Sequence, residues 1–127
     1  FVAQAVGARM LARAKGLAPG TYTGGRIINI ASMAAMRVLP QIGVYCTSKS
    51  AVVQMTKAMA LEWGKHGINV NAVLPSIIDT PTNRADMPDA DFSKWVSPQD
   101  LANAICFLAS PEARAIHGAL LPVTGLS

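Results

Sequence analysis

The chain has 127 residues, of which 51% are hydrophobic and only 14% charged, enough for one packed domain and incompatible with a disordered or collagen-like chain. Eleven Lys and Arg against seven Asp and Glu leave a net charge of +4. The basic residues are scattered, with no run or stripe of the kind that marks a nucleic-acid footprint.

The first segment, up to about residue 15, places Val2, Val6, Met10 and Leu11 on one stripe and reads as an amphipathic helix. Arg9, Arg13 and Lys15 belong to its solvated face. The segment opens in mid-pattern, with neither Met nor an N-cap residue ahead of Phe1, so the chain is expected to be a fragment. Residues 16–25, with four of the ten glycines and Pro19, form a loop. Arg26-Ile-Ile-Asn-Ile-Ala-Ser32 is the short β-branched run of a strand buried on both faces of a parallel sheet. Pro40 to Gly43 marks another loop, and residues 44–65 form the longest helix, ended by His66-Gly67.

Residues 68–74 follow as a second strand, stopped by Pro75. From Ser76 to Trp95 polar and turn residues dominate, including Asp79, Pro81, Asp86, Pro88, Asp89 and Asp91. Excursions of that length are often lids or binding loops. Ser97-Pro-Gln-Asp100 starts a helix over 98–109, with Ser97 as N-cap and Pro98 at the first helical position. Residues 119–123 form a last strand. Helix, strand, helix, strand implies an α/β architecture in which strands 26–32 and 68–74 are parallel neighbours and helix 44–65 is the crossover.

Cys46 and Cys106 lie in apolar segments without a CxxC or Cys/His spacing, as expected of buried free thiols in a reducing compartment. His66 and His117 have no partner at zinc-ligand spacing, so they read as surface or cap histidines and no metal site is predicted. No apolar stretch approaches the ~18 residues of a membrane span, and no basic segment with a cleavage site opens the chain. These features predict a cytoplasmic protein with no membrane and no nucleic-acid partner.

The most informative cluster is Tyr45-Cys-Thr-Ser-Lys49. Residues four apart on a helix share a face, so phenol and ammonium can point into one cleft, where the cation favours loss of the phenolic proton. Tyr45 then becomes a candidate proton donor and acceptor. Thirteen residues earlier, Ser32 stands at the carboxyl end of the buried strand, the end at which open α/β sheets bind ligands. Tyr-x3-Lys alone is a weak signal that arises by chance in many helices; its order with the strand ending in Ser32, the glycine-free helix and Asn69-Val-Asn-Ala-Val-Leu-Pro75 is more specific.

Taken together, these motifs resemble the short-chain dehydrogenase/reductase family over residues 1 to about 124, corresponding to the family's carboxyl-terminal half. The resemblance implies a Rossmann-like, doubly wound parallel sheet. It implies that residues 1–127 form the carboxyl-terminal part of a single NAD(P)-binding catalytic domain, whose amino-terminal cofactor-binding half is absent from this chain. Ser32, Tyr45 and Lys49 match the family's catalytic serine, tyrosine and lysine. Its asparagine belongs upstream of Phe1, and its Gly-x3-Gly-x-Gly phosphate cradle does not occur here. Pro75-Ser-Ile-Ile-Asp-Thr80 matches the stretch that closes on the nicotinamide, with Ser76 in place of the usual glycine and with Pro75, Ile78 and Thr80 lining the pocket. Thr80 as a simple cap of the next turn is the alternative. The stretch 79–95 is similar to the corresponding loop of dihydropteridine reductases, although those lack the serine retained here as Ser32.

The expected activity is therefore NAD- or NADP-dependent hydride transfer that interconverts a small-molecule carbonyl and an alcohol, or reduces a related C=N such as a dihydropterin. In that reaction Tyr45 is the acid or base, Lys49 assists it and binds the nicotinamide ribose, and Ser32 holds the substrate oxygen. The competing expectation is a truncated paralogue with a structural or binding role, favoured by the missing phosphate cradle. The family likeness also implies a homodimer or homotetramer built on helices 1–15 and 44–65, with Met55, Met59, Trp63, Val6 and Met10 as candidate contacts, packing inside one subunit being an equally good account of some of them. The segment from Thr82 to Trp95 is expected to gate the substrate, the alternative being a fixed excursion pinned by Phe92 and Trp95.

Overall fold

A run of β-branched residues with no room for water on either side has one low-energy solution, a central strand between two helical layers. The chain realises it once. The computed structural model describes residues 2–18, 21 and 24–127. Its main elements are helix α1 (Val2–Ala14), strand β1 (Gly25–Ile30), helix α2 (Gly43–Trp63), strand β2 (Ile68–Pro75), the short helix α3 (Pro81–Asp86), helix α4 (Pro98–Ala109) and strand β3 (Leu120–Val123). The strands pair in the order β1-β2-β3, and both pairings are parallel, with Ile28 opposite Asn71 and Val73 opposite Leu121. The crossover from β1 to its neighbour β2 is α2, as expected.

Alternation along β2 explains the layering, because successive side chains of a strand point to opposite faces. Ile68, Val70, Ala72 and Leu74 belong to two apolar clusters shared with α2, in which Val53, Met59 and Ala60 are buried, and with Met10 and Leu11 of α1. Val73 lies in a third cluster with Val96, Leu101 and Leu108, which is α4's side. Helices thus cover both faces of the sheet. Two other odd positions of β2, Asn69 and Asn71, serve the chain rather than the core. Buried Asn71 donates from Nδ2 to the Ile116 carbonyl (2.9 Å) and accepts at Oδ1 from the Ala119 N–H (2.9 Å). Asn69 donates to the carbonyls of Arg114 and Ile116 and accepts from Arg26. The two amides hold the segment leading into β3 against β2.

Several boundaries differ from those expected. β1 ends at Ile30, not at Ser32, because Ser32 leaves the strand to cap a 3-10 turn over Met33–Ala35. Nor is β1 buried on both faces: most of it is half-buried, and it pairs only with β2 among the described residues. The irregular stretch 76–95 contains α3, whose six residues are too few to show periodicity, and a 3-10 turn at Phe92–Lys94. Part of the expected loop at 16–25, namely residues 19, 20, 22 and 23, lies outside the described residues.

Two cysteine and histidine expectations also change. Cys46 is buried but Cys106 is exposed, since it sits on the outer face of α4. His117 is a structural link: the Val70 N–H donates to its Nδ1 (3.3 Å), so Nε2 donates to the Ala60 carbonyl (2.9 Å) and ties β2 to α2. Gly64 makes room for it, because a Cβ there would lie 2.6 Å from Nε2. Of the residues offered as intersubunit contacts, Met59 is buried in the chain's own core and Met10 and Trp63 pack against that same cluster; Met55 and Val6 stay exposed. No helix among the described residues is long and apolar enough to cross a membrane.

Candidate active site

Parallel strands end together, so whatever follows β1 and β2 at their carboxyl ends is gathered at one rim. Ser32 follows β1 by two residues, in extended conformation (φ −166°, ψ 156°), and Ala31 still donates to the Val73 carbonyl at 2.9 Å. The Ser32 hydroxyl oxygen accepts from the Ala34 N–H at 3.1 Å. That bond occupies a lone pair and fixes the rotamer while leaving the hydroxyl proton available to a ligand.

The second component comes from α2. Lys49 reaches back over the sheet and donates from Nζ to the carbonyl of Ile30, the last residue of β1, at 3.1 Å. The same ammonium lies 5.8 Å from the centroid of the Tyr45 ring, within the range of a cation–π contact. Tyr45 is itself 45% exposed, and its hydroxyl is bonded to none of the described residues. The Ser50 hydroxyl donates to the Ala35 carbonyl at 2.9 Å, tying the turn after Ser32 to the helix that carries Tyr45. Ser32, Tyr45 and Lys49 are thus mounted on two elements that are bolted together at the carboxyl end of β1.

The third component follows β2. Pro75 is the last residue of that strand and is buried. Ser76, which takes the place expected for glycine, spends its hydroxyl on the chain terminus: Oγ donates to the Thr124 carbonyl at 3.0 Å and lies 3.0 Å from the Ser127 hydroxyl. Ile78 bridges to Val96, and its carbonyl accepts from the Asn83 amide at 2.7 Å. Thr80 caps α3, its hydroxyl oxygen accepting from the Asn83 N–H at 3.2 Å; its proton remains free to donate. The Ser76 tie and the Asn83 anchor are absent from the sequence reading, since each joins groups whose proximity depends on the fold. A better signal was available for α3: Thr80 followed by Pro81 is an N-cap followed by the residue favoured at the first helical position.

The segment beyond Thr80 is clipped shut. Arg84 forms a bidentate pair with Asp79, Nε to Oδ1 at 2.6 Å and a terminal nitrogen to Oδ2 at 2.8 Å. Its guanidinium also lies 4.7 Å from the centroid of the Phe92 ring, which in turn sits 4.7 Å from that of Trp95. The Arg84 hydrogen bond holds the Asp79 carboxyl below its ordinary range, and Ser93 does the same for Asp91. A depressed carboxylate stabilises above its unfolded-state range and loses that contribution as pH falls through the folded value. The 79–95 segment should therefore loosen under acid conditions that leave β2 intact. In the full-length protein, Arg84→Ala should speed amide exchange across residues 82–95 severalfold at neutral pH without changing exchange in 68–74. Unaltered exchange in 82–95 would show that the clip is not what holds the segment.

Comparison with known proteins identifies the family. The family model described as enoyl-(acyl carrier protein) reductase, a short-chain dehydrogenase/reductase model, matches residues 4–125. The chain is 39% identical over 112 residues to the 2-dehydro-3-deoxy-D-gluconate 5-dehydrogenase of Dickeya dadantii, covering 80% of this chain and 44% of that protein. It is 38% identical over 134 residues to the D-threitol dehydrogenase of Mycolicibacterium smegmatis, covering 98% and 48%. Among solved structures, the gluconate 5-dehydrogenase from Burkholderia cenocepacia in complex with NADP and tartrate superposes with a TM-score of 0.82 at 35% identity, covering 98% of this chain and 49% of that one. The chain spans about half the length of the relatives it matches. Its parallel sheet, its flanking helices and the match over nearly all of its residues make it a member of the short-chain dehydrogenase/reductase family.

Proposed function

We propose that these 127 residues are the carboxyl-terminal part of a single NAD(P)-binding catalytic domain, and that the full-length protein is an oxidoreductase interconverting a small-molecule carbonyl and an alcohol. The observation that carries this reading is the mounting of Tyr45 and Lys49 over the carboxyl end of β1, with Lys49 anchored on the Ile30 carbonyl and the Tyr45 hydroxyl left open. A lysine ammonium has three donors, and Lys49 spends one on Ile30. The other two, beside an unpaired phenol, suit the vicinal hydroxyls of a ribose, so the residues present fit the nicotinamide end of NAD or NADP. Pro75, Ile78 and Thr80 would line the nicotinamide pocket. The pyrophosphate cradle belongs to sequence outside this chain.

Within this reading the bound dinucleotide supplies or accepts the hydride. In reduction, the Ser32 hydroxyl donates to the substrate oxygen and holds it in place; the Tyr45 hydroxyl delivers its proton to that oxygen, and the Lys49 ammonium stabilises the phenolate left behind. Oxidation runs the same proton in reverse. Residues 82–95 cover the substrate. A homodimer or homotetramer is part of the proposal, with exposed Val6 and Met55 as contacts.

The reading is tested with the full-length protein, supplied in turn with each reduced cofactor and a panel of hydroxyketones, simple ketones, 3-oxoacyl thioesters and quinonoid dihydropterin. Cofactor oxidation that depends on one of these carbonyl or imine substrates is the expected result. Turnover of none of them, with either cofactor, would count against the reading.

A further inference from the structure

We propose that Ser76 is a positioning residue for the nicotinamide pocket, and that the tail Thr124–Ser127, which its hydroxyl grips, ties that pocket to the far end of the segment covering the substrate. This rests on the oxidoreductase reading above and adds to it a residue and a physical link between two parts of the site. Ser76 follows β2 directly, after Pro75 and two residues before Ile78, so it stands on the rim where the strands end. Its N–H donates to the Val123 carbonyl at 3.2 Å, a bond open to any residue but proline. The hydroxyl is what a glycine could not supply. Besides the Ser76 Oγ, the Thr124 carbonyl accepts from the Ser127 N–H at 3.2 Å and the Ser127 hydroxyl at 2.6 Å. These three donors fold the tail into a turn held on Ser76.

The same turn touches the other side of the site. The Leu126 N–H donates to the Lys94 carbonyl at 3.2 Å. Gly125 lies so close that a Cβ there would come within 2.7 Å of the Lys94 carbonyl oxygen and 3.1 Å of that of Trp95. Lys94 and Trp95 end the covering segment, and the Trp95 ring packs on Phe92. A direct link between the two ends also exists: the Val96 N–H donates to the Ile77 carbonyl at 3.0 Å and the Asp79 N–H to the Val96 carbonyl at 2.8 Å. One bridge is a pivot, fixing a spacing and leaving the angle between the two chains free. Ser76 and Lys94 both precede that parallel bridge on their own chains, so a tie between them through the tail fixes the angle. None of residues 124–127 belongs to the buried apolar clusters, and Leu126 and Ser127 are exposed. The contacts of the tail thus go to the two ends of the site and not to the core.

The test uses the full-length protein as wild type, Ser76→Ala, Ser76→Thr, Gly125→Ala and the double variant Ser76→Ala with Gly125→Ala. Amide exchange is followed without ligand, and binding of NADH and NADPH by fluorescence titration without turnover. Losing the Ser76 hydrogen bond should weaken binding of the working cofactor about threefold to tenfold. It should also speed exchange across 91–96, which Ser76 does not itself touch, and leave 68–74 unchanged. Gly125→Ala, which pushes the tail off Lys94, should do the same at both places. The double variant should bind little worse than the weaker single one, because either break opens the same tie. Ser76→Thr keeps the hydroxyl and should bind as wild type. Wild-type exchange in 91–96 for Ser76→Ala, additive losses in the double variant, or a threonine variant as weak as the alanine one would each overturn the proposal. If the wild type binds neither cofactor, the oxidoreductase reading falls as well; if it binds one and the variants bind it equally well, only the role of Ser76 falls.

Discussion

On the proposed function, Tyr45→Phe in the full-length protein should lower kcat about 100-fold or more, the usual worth of a positioned general acid. The substitution removes one oxygen and keeps the ring, so the contact between the ring and the Lys49 ammonium, 5.8 Å from its centroid, survives. Because Tyr45 is 45% exposed and its hydroxyl is bonded to none of the described residues, the loss orphans no partner and the fold should be unaffected. Stability close to wild type, combined with a loss of turnover far larger than any weakening of cofactor binding, is the signature expected. Wild-type turnover in the Phe variant would mean that the proton comes from elsewhere. Ser32→Ala makes a useful comparison: it removes both the proposed contact to the substrate oxygen and the cap accepting from the Ala34 N–H, so it should cost activity and loosen the turn at Met33–Ala35 as well.

Asn71→Ala should destabilise the protein by about 2–4 kcal/mol, combining an unpaired backbone donor with the cavity left by a buried side chain. The side chain is 1% exposed and both of its functional atoms are used. The consequences at its two partners are unequal. The Ile116 carbonyl keeps the Asn69 amide at 2.9 Å, whereas the Ala119 N–H loses its acceptor. Damage should therefore centre on residue 119, at the entry to β3, where the Ala119 carbonyl in turn accepts from the Ala72 N–H at 2.9 Å. Urea unfolding of the full-length protein, with amide exchange at 119–123, measures both effects. A loss under about 0.5 kcal/mol, within the range of ordinary surface substitutions, would show that solvent replaces the amide.

The clip around Arg84 bears on how the 79–95 segment works. The ion pair, the stacked Phe92 and the Phe92–Trp95 contact give the segment its own internal order, so any motion would carry a preformed unit hinged near Ile78 and Val96, where the backbone bridges. Such a unit is distinct from a loop that orders only on binding, and the Arg84→Ala exchange experiment separates the two.

Local patterns in the chain determined the element types, their order and the parallel arrangement, because burial on both faces, helix capping and chain connectivity leave their marks within a few residues. The β-branched run of β1, the Ser97-Pro98 start of α4 and the glycine-free stretch of α2 are each readable without neighbours, and Tyr45 with Lys49 is readable because one helical turn separates them. Tertiary structure decided what depends on distant partners. It drew Ser32 out of the strand to cap a turn, committed Ser76 to the Thr124 carbonyl 48 residues away, and turned His117 from a surface histidine into a link between β2 and α2. Met59 moved into the core and Cys106 out of it for the same reason: which side of a helix faces the sheet is set by what packs there. The left-handed backbone at Gln41, with φ 69°, is the clearest case. Nothing in the sequence around it announces a positive φ, since glutamine adopts one only where the surrounding chain over-determines the turn.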